Sequence, residues 1–214
     1  MPVFFTNKKY ISYIHIPKAG GSYIENKLSK IGYGFLDNKF SENQSSAGTV
    51  HLTSSEISNI LDKLNIKIDF EFTIVRNPYQ KLESKYFYNY ERIFKGSLIG
   101  YKSINDLKSF MTFNKYLKFS IEKTKKFREY DGNHFKPQNE FVTNQTKIFK
   151  YEDKYQKLNQ ELRENDINMT LNYNSKNSRG IFSKLYPIKW NRETLDLVNN
   201  FYKEDFVKFD YKMI

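Results

Sequence analysis

The chain has 214 residues, enough for one domain with a sizeable core, and carries a net charge of +11 with no cysteine. The missing thiols exclude disulfides and thiolate metal sites, and three histidines without a carboxylate cluster around them make a poor zinc set. No apolar stretch reaches membrane-spanning length, and the first nine residues lack the charged-then-apolar pattern of a signal peptide.

Aromatic residues make up 17% of the chain and can build the core although mean hydropathy is −0.72. The positive charge and a sequence pI near 9.4 favour anionic partners, nucleic acid among them; a solvated lysine-rich surface is the plainer reading.

The first predicted strand covers residues 10–16. It runs into His15-Ile16-Pro17-Lys18-Ala19-Gly20-Gly21-Ser22, a small-residue loop with one lysine, and then into a helix ending near Gly32. The first N–H groups of a helix lack intrahelical acceptors, and its dipole favours negative charge there. Glycines allow close backbone approach, and Lys18 adds a mobile point charge. The segment therefore reads as a phosphate cradle. A plain strand-to-helix turn, with Ser22 and Glu25 forming a capping box, is the competing reading. The lysine precedes the glycines, which is the wrong order for the Walker A loop of ATPases and GTPases.

Residues 34–48 are polar and read as irregular. Thr53-Ser54-Ser55-Glu56 is a second capping box, opening a helix with Ile57, Ile60, Leu61 and Leu64 on one face. His51 lies just before it. Phe70-Glu71-Phe72-Thr73-Ile74-Val75 reads as a buried strand. Asn77 then suits an N-cap and Pro78 the first helical position, with Tyr79, Leu82, Tyr86, Tyr90 and Ile93 forming an apolar stripe. Arg76 thus falls at the carboxyl end of a strand and Ser84 in the next helix, where open α/β sheets place their ligands. The alternative is an Arg76 paired with a surface carboxylate and a merely exposed Ser84.

A helical region covers about 103–128. Its lysines and aromatics at 113–119 read as a core-facing stripe with snorkelling lysines. Residues 147–151 form a later strand, followed by a helix to about Glu164 and a polar loop at 172–178. Asn191 caps a terminal helix carrying Leu195, Val198, Tyr202 and Phe206. Strands alternating with helices predict an α/β fold: one P-loop-like domain over residues 1–214, with a central parallel sheet flanked by helices.

Taken together, residues 15–22 resemble the 5′-phosphosulfate loop of sulfotransferases that use 3′-phosphoadenosine 5′-phosphosulfate (PAPS). Val-Arg-Asn-Pro-Tyr-Gln-Lys-Leu-Glu-Ser-Lys-Tyr (75–86) resembles their 3′-phosphate motif. The nearest likeness is to the carbohydrate branch, with its heparan 2-O and chondroitin-type enzymes. Asn-His-Phe-Lys-Pro-Gln (133–138) is similar to a His-Trp-x-Pro-Gln segment of that branch, with Phe135 in place of Trp. Residues 148–153 and 201–211 resemble a strand-plus-acidic-turn element and the final helix.

The resemblance implies an enzyme that moves a sulfuryl group from PAPS to a carbohydrate hydroxyl without a metal, and the lack of an anchor segment and of cysteine predicts a soluble, cytoplasmic protein of bacterial or phage kind. Pro17, Lys18, Ala19, Gly20, Gly21 and Ser22 would hold the 5′-phosphosulfate, with Lys18 on the leaving-group side. Arg76 and Ser84 would hold the 3′-phosphate, and Arg179 adds a late contact suggested by charge, glycine and position. His51 lies between the two motifs, as the catalytic histidine does in the 2-O branch. It is the candidate base, with an ordinary polar loop residue as the alternative. His15 reads as a packing or orienting residue, His134 as an acceptor-site or structural one. The charge favours an anionic glycan acceptor over nucleic acid. A nucleotide-dependent phosphotransferase and a basic nucleic-acid-binding module are the other readings.

Overall fold

The computed structural model describes residues 2–35, 51–94, 112–173 and 187–214. The chain forms two compact units. One holds the residues up to Arg76 together with Asp131–Tyr173; the other holds, of the described residues, 77–130 and 187–214 where these are described.

The first unit is built on a five-stranded sheet in the order β3-β1-β2-β4-β5. β1 (Val3–Thr6) and β2 (Lys9–Ile14) pair antiparallel across Asn7 and Lys8, whose φ values of 48° and 63° make a tight two-residue hairpin. β4 (Phe70–Val75) lies parallel to β2, with Ile14 opposite Thr73. β5 (Lys147–Lys150) lies parallel to β4, with Val75 opposite Lys150. β3 (Tyr33–Phe35) closes the far edge antiparallel to β1. Four strands therefore share one direction and β1 opposes them, so the expected α/β fold with a mostly parallel central sheet is observed.

Burial explains the order. Phe72, Thr73, Ile74 and Val75 of β4 are buried on both faces, as a central strand of a parallel sheet requires. The helices α1 (Gly21–Leu28), α2 (Ser54–Lys63) and, further on, α5 (Gln156–Glu164) belong to this unit. Their inward residues are Ile24 and Leu28, Ile57 and Leu61, and Leu158 and Leu162. The capping box at Thr53 forms as expected: its Oγ1 accepts from the Glu56 N–H, and Glu56 Oε2 accepts from the Thr53 N–H at 2.7 Å.

Four points differ from expectation. β1 was not anticipated, and β3 occupies the start of a stretch read as irregular. β2 stops at Ile14 because His15 and Ile16 already belong to the loop. Leu64, expected on the buried face of α2, is 54% exposed, since it sits past the last helical turn as the C-cap.

The second unit is helical. Asn77 Oδ1 accepts the Tyr79 N–H at 3.0 Å and so caps α3 (Pro78–Phe94), with Pro78 at the first helical position. Tyr79, Leu82 and Tyr86 form its buried stripe. α4 (Phe113–Lys126) buries Phe113, Tyr116, Leu117 and Ile121, while Phe119 is 40% exposed beneath the Lys123 ammonium. Asn191 caps α6 (Arg192–Phe201) through the Thr194 N–H at 2.9 Å. The terminal helix breaks at Tyr202 and resumes as α7 (Lys203–Lys208), with Val198, Tyr202 and Phe206 buried.

Candidate active site

Parallel neighbours end at the same edge of a sheet, so β2, β4 and β5 deliver their following residues to one place. These are the 15–22 loop, Arg76 and Tyr151. The Arg76 Nη1–H donates to the Lys18 carbonyl at 3.3 Å, which fixes how close the first two are.

In the loop, Pro17 and Ala19 are buried while Lys18 is half-buried and Ser22 exposed. Lys18 and Gly20 both have positive φ, 65° and 91°. The chain thereby turns sharply into α1, with Gly20 as N-cap and no side chain accepting from the helix start. The capping box expected of Ser22 and Glu25 does not form. The N–H groups of Gly21, Ser22 and Tyr23 keep their outward direction with no side-chain cap competing for them. Two glycines are demanded by their neighbours. A Cβ at Gly20 would meet the Tyr151 ring at 3.0 Å and the Tyr155 hydroxyl at 3.2 Å, and one at Gly21 would overlap the His15 ring.

Glu25 turns to His15 instead. Its Oε2 is 3.1 Å from His15 Nδ1. Burial pushes the Glu25 carboxyl up, but the interactions that favour the carboxylate, the neighbouring His15 first among them, together outweigh it and hold the pKa below the ordinary value. A carboxyl depressed on folding stabilises the fold above its unfolded pKa and loses that contribution as pH falls through the folded one. Glu25→Gln should therefore melt below wild type at neutral pH, with the gap closing below about pH 4. Melting curves at several pH values check this; a gap that stays constant from neutral to acid contradicts it.

Arg76 is buried, which removes the surface-pair reading. Its guanidinium lies 4.7 Å from the centre of the Tyr151 ring, a cation–π contact. Its backbone is held by Gln138, which has no exposed surface: the Arg76 N–H donates to Gln138 Oε1 at 2.9 Å, and Gln138 Nε2–H donates to the Arg76 carbonyl at 2.8 Å. Tyr23, Tyr151, Tyr155 and Tyr173 cluster nearby, with ring centres 5.8–6.3 Å apart. Burial raises the pKa of Tyr151 against the opposing pull of Arg76, and burial with the neighbouring phenols raises that of Tyr155. Both stay neutral at pH 7, so these phenols add no negative charge beside the start of α1.

All three histidines of the chain meet here. The His51 ring packs edge-on between His15, at 4.7 Å, and His134, at 5.0 Å. His51 Nδ1 lies 3.1 Å from the His15 carbonyl, which can only accept, so Nδ1 carries the hydrogen. The neutral ring then holds its lone pair on Nε2, the tautomer a general base needs. Asn133 Nδ2–H donates to the His51 carbonyl at 3.1 Å, and His134 Nδ1–H donates to the Asp131 carbonyl at 2.6 Å.

Ser84 is half-buried on α3 of the second unit, and Arg179 lies outside the described residues. Sequence reasoning missed the roles of Gln138 and Tyr151, although both sit in segments it had singled out. The position of Tyr151 directly after a parallel strand was the available signal. Among the described residues no group of three or more His, Asp or Glu side chains is arranged to hold a metal ion, and no helix is long and apolar enough to cross a membrane.

Comparison with curated proteins and with solved structures returns no match. Comparison with protein families matches residues 1–212, nearly the whole chain, to the sulfotransferase family. With that match spanning both the 15–22 loop and the Arg76 strand, the chain belongs to the sulfotransferase family and is a transferase of sulfuryl groups.

Proposed function

We propose that this enzyme uses PAPS as donor and a carbohydrate hydroxyl as acceptor, with residues 1–214 working as one sulfotransferase domain. The observation that carries the reading is the uncapped start of α1 beside Lys18, with Arg76 in contact with the same loop. One anion fits the helix N-terminus and a second cationic centre stands beside it, which suits a donor with phosphates at both 5′ and 3′ positions. The continuous family match over 1–212 supports a single functional unit.

In this reading the loop from Pro17 to Ser22 holds the 5′-phosphosulfate through the N–H groups of the helix start. Lys18 neutralises charge gathering on the leaving phosphate oxygen. Arg76 holds the 3′-phosphate; the resemblance of 75–86 adds Ser84 to that group, and charge, glycine and position add Arg179. His51 Nε2 takes the proton of the acceptor hydroxyl as that oxygen bonds to sulfur. The bond between sulfur and the phosphate oxygen breaks in line, releasing adenosine 3′,5′-bisphosphate (PAP). No step calls for a divalent metal.

A thermal-shift comparison of PAP, ATP and a DNA oligonucleotide tests this against a phosphotransferase and a nucleic-acid module, since a ligand selective for the native state raises Tm. PAP should give the largest shift; a larger shift with ATP or the oligonucleotide contradicts the reading. The net charge of +11 further favours an anionic or already sulfated glycan, with cytoplasmic action on soluble acceptors as the simplest setting. Initial rates should fall as salt rises from about 50 to 500 mM, because exposed attractions are screened. Rates that ignore salt, or a neutral glycan that outperforms its sulfated form, count against an anionic acceptor.

A further inference from the structure

We propose that Gln138 is the positioning residue that sets the donor selectivity of Arg76, a role that rests on the 3′-phosphate reading of Arg76. Arg76 is the first residue beyond β4, where sheet hydrogen bonding ends. A residue at such an edge ordinarily takes its backbone geometry from water or the following loop. Here a side chain replaces the missing strand. The Gln138 amide bonds both backbone groups of Arg76, at 2.9 and 2.8 Å, and does so with no exposed surface. It enters from a 3₁₀ turn, Gln138–Phe141, whose N-cap Pro137 has its φ fixed at −54°. Tyr151 then supports the guanidinium from below at 4.7 Å. Main chain and side-chain head of one arginine are thus held separately, and the fixed head is what a bidentate phosphate contact needs.

The chemistry requires an amide. Oε1 faces an N–H and Nε2 faces a carbonyl, so a donor and an acceptor must stand side by side. A protonated carboxyl offers the same pair, whereas a carboxylate offers two acceptors and repels the Arg76 carbonyl. Gln138→Glu should therefore restore the clamp when protonated and lose it when ionised. Gln138→Met keeps size and burial and loses both bonds at every pH.

The test is calorimetric binding of PAP and of AMP to the wild-type, Gln138→Met and Gln138→Glu proteins between about pH 5 and 8, with Arg76→Lys as the reference for the parent reading. Gln138→Met should bind PAP about tenfold more weakly, from two lost buried hydrogen bonds, while AMP affinity changes less than about twofold. The PAP-over-AMP ratio of Gln138→Glu, divided by that of wild type at the same pH, should fall as pH rises. A folded Gln138→Met with the wild-type ratio overturns the clamp. If that variant does not fold, a Gln138→Glu ratio that tracks wild type at every pH overturns it instead. A wild-type protein that binds PAP and AMP equally, with Arg76→Lys unchanged, overturns the 3′-phosphate reading itself and the selectivity role of Gln138 with it.

Discussion

Replacing His51 with alanine is expected to lower turnover by roughly 10²–10⁴, the contribution of a positioned general base. The expectation comes from the tautomer. The His15 carbonyl takes the Nδ1 hydrogen, which leaves Nε2 able to accept the acceptor proton. PAP affinity should hardly change, because His51 is not assigned to either phosphate. His15→Ala should act differently. Its ring fills the space beside Gly21, packs on His51 and contacts Glu25, so its loss should mainly lower stability and loosen the loop. Single-turnover kinetics with saturating donor separate the two effects. Near-native turnover in His51→Ala, with loss of turnover in a folded His134→Ala or Glu25→Ala, would move the base to another residue and leave sulfuryl transfer in place.

Arg76→Ala is expected to remove most of the preference for PAP over AMP, about 1.5–3 kcal/mol for hydrogen bonds to a charged group. That corresponds to a loss of roughly ten- to a hundredfold in relative affinity. AMP binding should fall much less, since the 5′-phosphate is assigned to the start of α1. The arginine is buried, so part of any stability change will reflect lost packing on Tyr151 and the loss of its bond to the Lys18 carbonyl. Titrating both nucleotides by calorimetry on protein shown to be folded isolates the binding part. A variant that weakens both nucleotides equally contradicts the assignment of Arg76 to the 3′-phosphate.

Contiguity decided how much was legible. The 15–22 loop and the β4–Arg76–Pro78 junction are runs of adjacent residues, and each combines a buried strand, a turn and a helix start. Periodicity and capping chemistry read such runs directly. β1 escaped because Val3 and Phe4 are both buried, so its burial does not alternate cleanly. β3 spans three residues, and Tyr33 is 85% exposed, which leaves almost no apolar pattern to read. The capping box at Ser22 and Glu25 was a sound local inference that tertiary structure overrode. A left-handed Gly20 makes the turn without a side-chain cap, and Glu25 turns to the His15 ring instead. The same kind of box at Thr53 formed because nothing of that sort drew Glu56 away.

The rest of the site is assembled across long chain separations. Gln138 meets Arg76 over 62 residues, and Asn133 meets His51 over 82. No local period encodes such pairs. The histidine row is the plainest case. His15, His51 and His134 were assigned three separate roles, and only the fold brings their rings together.

The central claim is that the enzyme carries sulfuryl groups from PAPS to a carbohydrate hydroxyl. The most direct measurement incubates the purified protein with PAPS labelled in its sulfur and a panel of neutral, carboxylated and sulfated glycans, followed by mass spectrometry of the products. Label should appear in covalent linkage to a glycan oxygen, one equivalent of PAP should form per transfer, and the transfer should slow by roughly 10²–10⁴ in His51→Ala. Covalent label on a non-carbohydrate acceptor with none on any glycan, or glycan modification that proceeds from a donor lacking the 3′-phosphate as fast as from PAPS, would contradict the claim.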